Sequence, residues 1–146
     1  SEMCIRDRTD VVMMLNGALG GLVAITAEPL MPTPLMAIII GGIGGALVFA
    51  GTELLTAMKI DDVVGAIPVH LIAGVWGTLA VPITNPDTSF GTQFLGTASI
   101  CVFVFVVSII IWSIMKATIG IRISEEAEKE GTDVAETGVI AYSIRD

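Results

Sequence analysis

Four apolar stretches follow one another along the chain, at residues 11–27, 35–58, 63–83 and 92–115, separated by short polar or proline-bearing breaks. A helix needs about 20 residues at about 1.5 Å each to cross a hydrocarbon core of about 30 Å, and it satisfies its own backbone polar groups as it does so. The pattern therefore predicts an all-α, polytopic membrane helix bundle of about four transmembrane helices. The first stretch, 17 residues long, would reach only about 25 Å and is expected to be cut off. The second starts after Pro32 and Pro34, residues that suit a first helical turn and not an interior. Asp61 or Asp62 heads the third, placed to cap free amides at the positive end of the helix dipole. The fourth carries "SICVFVFVVSIIIW" at its centre.

The breaks are short: "EPLMPTP", "KIDD" and "TNPDTSFG". Adjacent spans are therefore expected to be antiparallel neighbours. Lys59, Lys116 and Arg122 all fall at ends that this alternation places on one side, while the opposite breaks hold Glu28 and Asp87 and no basic residue. Basic residues favour the cytoplasm, so both chain ends are expected there, with Trp112 as an interfacial anchor.

Composition agrees with a bilayer as solvent: 53% of residues are hydrophobic and the mean hydropathy is +0.85, far from an ordinary soluble domain. Residues 9–117 hold six acidic and two basic side chains, whereas 118–146 hold seven and three, which divides the chain into an apolar body and a polar tail. The net charge of −8 leaves no basic patch for phosphates, so nucleic acid is not an expected partner. Cys4 and Cys101 show neither metal-ligand spacing nor a disulfide pattern, and no metal or cofactor is expected. The polar opening "SEMCIRDR", residues 1–8, joins abruptly to the first span and reads as a non-native or non-family leader.

Gly17 and Gly21 in the first span, and Gly41 and Gly45 in the second, recur at the spacing that lets membrane helices approach closely. The third span carries the only histidine, His70, within the otherwise uncharged "VVGAIPVHLIAGVWGTLAV". Ala66, Ile67, Ala73, Gly74 and Gly77 are expected to share its face on this helix, a stripe of mostly small residues where a helix packs or a narrow passage remains. His70 is thus expected to point into the bundle. A charge at the bilayer centre costs roughly 2.5–3.5 kcal/mol on insertion scales, so the imidazole is expected to be neutral, able both to donate and to accept a hydrogen bond. Pro68 lacks an amide hydrogen, which predicts an unpaired Val64 carbonyl and a bend just before His70. Glu53, near Lys59, is expected to snorkel to the inner surface. Trp76, about 600° round the helix from His70, is expected to serve packing.

"DDVVGAIPVHLIAGVWGTLAV" resembles the segment of ammonium transporters (the Amt, Mep and Rh family) that carries the second of their two pore histidines. The likeness extends to "NGALGGLVAITA" upstream and to "GIRISEEAEKEGTDVAETGVIAY" downstream, and so covers nearly all of residues 9–142. The resemblance implies the last four helices of a fold with about eleven, followed by a cytoplasmic tail at 118–146. It implies a homotrimer in the cell's inner or plasma membrane whose subunits each conduct ammonium or ammonia through an apolar pore, with transport and not catalysis as the activity. His70 would then handle the deprotonated substrate or its proton, Asp61 and Asp62 would cap the helix at the cytoplasmic pore end, and Ala66, Ala73, Gly74 and Gly77 would line the pore or pack helices. A nitrogen-regulatory signal protein is the implied partner of the tail.

Departures from the family pattern are Leu71, where many members have a small residue, and Pro68, not the commonest choice two positions before the histidine. Ala135 stands where some members carry a regulatory hydroxyl. The first pore histidine and the outer aromatic site lie outside this chain, so these residues alone are not expected to conduct. A membrane anchor of a redox enzyme, with His70 as an axial haem ligand, is the alternative reading.

Overall fold

The computed structural model describes residues 11–140; the opening residues 1–8, expected to be a leader, with Cys4, and Tyr142, lie outside them. Every regular element among the described residues is helical. Helix α1 spans Val11–Ile25 and α2 spans Pro34–Ala57. Helix α3 spans Ile67–Thr84, wound as a π-helix over Ile67–Ile72 and as an α-helix over Ala73–Thr84. Helix α4 spans Phe90–Thr118. Among the described residues α2, α3 and α4 are long and apolar enough to cross a membrane, whereas α1, at 15 residues, falls short.

Each boundary has a local cause. Thr33 caps α2 by accepting a hydrogen bond from the Met36 amide at 3.4 Å, with Pro34 at the first helical position, where its missing N–H matters least. The helix ends in a left-handed turn at Lys59 (φ 58°), whose neighbours close the pattern of a Schellman cap: Lys59 N donates to Thr56 O and Ile60 N to Leu55 O, both at 3.0 Å. A lysine stands there in the position glycine usually takes.

The described residues up to Cys101 form one compact unit and those from Val102 another, the division falling within α4. The first unit is organised by close backbone approach. On α1 and α2, a β-carbon added to Gly21 would lie 3.0 Å from Gly41 O, and one added to Gly45 would lie 3.0 Å from Gly17 O. The pairing 21 with 41 and 17 with 45 makes the two helices antiparallel, and it bears out the glycine spacing in the sequence. Helix α3 joins them through Gly77, which has the Ala24 carbonyl in the space a β-carbon would take. Two small buried clusters result, Ala24 with Ile40 and Ala80, and Val48 with Val69 and Ala73. Trp76 packs on the first and its indole N–H donates to Ile40 O at 3.0 Å, so it braces α3 on α2. Glu28 accepts a 2.9 Å hydrogen bond from the Asn85 amide, tying the α1–α2 connection to the end of α3.

No residue of α4 is buried. In the second unit the helix ends at a left-handed Gly120 (φ 76°), and helix α5, Glu125–Glu130, is capped by Ser124. A π-turn follows at Asp133–Thr137. Arg122 and Glu128 form an exposed ion pair at 3.8 Å.

Candidate functional site: the His70 groove

The chain enters α3 through the turn Asp62–Gly65. Asp62 splits its carboxylate between the amides of Ala66 (2.9 Å) and Ile67 (2.8 Å), capping the helix as the sequence suggested for one of the two aspartates. Asp61 stays exposed. Both aspartates line a groove of about 400 Å³ with Thr52, Lys59 and Pro68.

The helix begins at Ile67, four residues later than expected, and this corrects the reading of Pro68. With no helix ahead of it, Pro68 occupies the first turn, where its absent N–H leaves no helical bond broken and forces no bend. The Val64 carbonyl is not left unpaired either: it accepts from Asn16 Nδ2 of α1 at 3.1 Å.

The π-winding corrects the face assignment. Ala73 N donates to Pro68 O, a five-residue step in place of four, so one turn of α3 holds an extra residue. Ala73 and Gly77, three and seven positions beyond His70, therefore turn into the α1–α2 side and are buried. Ala66 is exposed. Only Gly74, of the four predicted small residues, shares a wall with His70. His70 itself does not enter the packing of α1, α2 and α3. It is exposed and faces a groove of about 320 Å³ bounded by Leu71, Gly74, Val75 and Thr78 of α3 and by Gln93, Gly96, Thr97, Ile100 and Cys101 of α4.

The walls are apolar with a few polar atoms. The Thr78 hydroxyl is already committed to Gly74 O at 3.0 Å. The Thr97 hydroxyl oxygen is shielded from solvent without a hydrogen-bond partner among the described residues. His70 likewise has no hydrogen bond to a described residue, which leaves both imidazole nitrogens open to whatever enters. Glu53 is exposed. No group of three or more His, Cys, Asp or Glu that could hold a metal occurs among the described residues. Sequence reasoning missed Asn16 as a structural partner, although a carboxamide in an apolar helix was its visible signal.

A family model described as Ammonium Transporter Family matches residues 2–142. The chain belongs to that family. It is 35% identical to the ammonium transporter Amt2 of Archaeoglobus fulgidus over 92% of its own length and 33% of that protein. It is likewise 35% identical to the ammonium transporter of Bacillus subtilis, over 97% of its length and 39% of that protein. With the ammonium transporter Amt1 of Haloferax mediterranei it shares 34% identity, over 92% of its length and 27% of that protein. The chain thus spans about a third of the length of these relatives. With its apolar helices, family membership makes this a multi-pass membrane protein of a transporter family. None of these relatives is named for haem, so the haem-anchor alternative gains no support.

Proposed function

We propose that the complete protein conducts ammonium across the cell's inner or plasma membrane, moving neutral ammonia along an apolar path on which His70 takes part in handling the substrate or its proton. The observation that carries this is the exposed His70 on the wall of a largely apolar groove, in a chain of the ammonium transporter family. An intact cation in an apolar lumen is costly, whereas a neutral solute passes and a neutral imidazole can accept and hand on its hydrogen bonds. Gly74 contributes wall without bulk. Ala73 and Gly77 serve helix packing, and Ala66 lies near the helix start. Asp62 caps α3 at the cytoplasmic end of the path, with Asp61 beside it. Residues 9–117 act as the membrane body and 118–146 as a tail on the cytoplasmic side, the side that Lys59, Lys116 and Arg122 favour. The complete protein works as a homotrimer, and the tail is the surface open to a nitrogen-regulatory signal protein.

Substituting His70→Ala in the complete protein tests the reading. Methylammonium uptake is expected to fall at least about 10-fold with the membrane level unchanged. Wild-type uptake and current would remove His70 from the mechanism.

A further inference from the structure

The start of α3 is held from two independent sides. From its own element, Asp62 takes the Ala66 and Ile67 amides, and Gly65 N donates to Asp62 O at 3.2 Å. From 48 residues away, Asn16 Nδ2 on α1 takes the Val64 carbonyl. Between these two grips sits Gly65, whose place no other residue fills without strain. Its φ is +74°, and the carboxamide nitrogen of Asn16 occupies the space of its missing β-carbon. His70 follows only three residues into the helix, within the π-wound turn, while Pro68 and Val69 beside it are buried.

We infer that Asn16 is a positioning residue for His70: its hydrogen bond to Val64 O anchors the turn from which the π-winding starts, and the π-winding keeps the imidazole on the groove wall. The inference rests on the transport reading above. A π-turn amounts to one extra residue in an α-helix, so relaxing it to regular winding turns the residues ahead of it by about 100° relative to Ala73 and the rest of α3, and swings His70, inside the turn, part of that way. Ala73 and Gly77 are clamped by buried packing on α1 and α2, so they cannot follow, and the displacement falls on the turn ahead of them, in which His70 is an exposed member beside the buried Pro68 and Val69. Pro68 offers no N–H and the helix proper begins at Ile67, so among the described residues only Asn16 pairs with the Val64 carbonyl.

The test uses the complete transporter with Asn16→Asp, which keeps the shape but turns a donor into an acceptor facing a carbonyl. Assembled protein is expected at close to wild-type amounts. The maximal rate of methylammonium uptake is expected to drop about 10-fold with KM changed less than about 2-fold, because a displaced histidine impairs passage and not capture. If Asn16→Asp fails to assemble, Asn16→Ala, which removes the donor without adding charge, carries the same comparison; failure of both to assemble would make Asn16 a folding residue and overturn the inference. A second measurement compares Gly65→Ala with Asn16→Ala/Gly65→Ala, the double variant being expected to melt no lower than Gly65→Ala alone because the obstructing carboxamide is gone. Additive losses would mean that the two residues do not share this space. His70→Ala is run alongside. Wild-type uptake by that variant sinks the pore reading, whereas an impaired His70→Ala beside a normally transporting Asn16→Asp sinks the positioning role alone.

Discussion

The two sides of α3 differ as sharply as any two regions of the molecule. Toward α1 and α2, Ala73, Gly77 and Ala80 lie in close-packed contact, backbone against backbone, with no space for a further atom at Gly77. Toward the groove, His70, Gly74 and Thr78 border about 320 Å³ of open volume. Among the described residues no polar or charged side chain is buried. The tight side is held by dispersion and close backbone approach, as expected where lipid supplies no hydrophobic drive, with the Trp76–Ile40 and Asn16–Val64 hydrogen bonds beside them. A helix can present the same small residues for two opposite purposes. The identity of a residue as Gly does not say which; the atoms across from it do.

Single methyl groups can break or sharpen this contrast. The largest effect is expected for Gly77→Ala, whose new carbon meets the Ala24 backbone, a neighbour that cannot rotate away. A loss of about 1–3 kcal/mol is expected, read as a lower melting temperature of the purified complete protein in detergent. Melting at the wild-type temperature would show that α1 and α3 do not approach as described.

Asp62→Ala comes next. It removes both capping hydrogen bonds at the head of α3 and is expected to destabilise by about 1–2 kcal/mol. Asp61→Ala, which removes no hydrogen bond among the described residues, should leave melting unchanged and serves as the control. Equal effects of the two would mean that the carboxylates share the cap.

Of the two glycine substitutions the smaller effect is expected for Gly74→Ala, three residues before Gly77. Its new carbon would lie 3.8 Å from a methyl of Val23, ordinary contact, so the protein should be unchanged or more stable by up to about 1 kcal/mol through helix propensity. A loss as large as that of Gly77→Ala would erase the distinction between the two sides.

Several features are legible in the order of residues alone. The helices α2 and α4 appear within three residues of the apolar runs that predict them, because lipid forces each segment to satisfy its own backbone. The glycine pairs are readable because spacing of four on two adjacent antiparallel helices leaves few ways to meet. His70 stands out as the only histidine, set in an otherwise uncharged apolar run. Which small residues share its wall is not readable, since the π-turn rotates everything after Ile72 by a residue's worth and no local propensity marks it. Asn16, likewise, is a carboxamide whose partner lies 48 positions away.

Sequence by itself thus determined the number and rough extent of the apolar helices, the antiparallel pairing of the first two and the family, all of which follow from local composition, short connections and motif order. Only tertiary structure decided that α3 starts at Ile67, that Pro68 bends nothing, that Asn16 holds the Val64 carbonyl, and that His70 faces the groove while Ala73 and Gly77 face the packing. Those outcomes depend on which carbonyl finds which distant donor and on where two backbones collide, and such quantities exist only once the chain has folded back on itself.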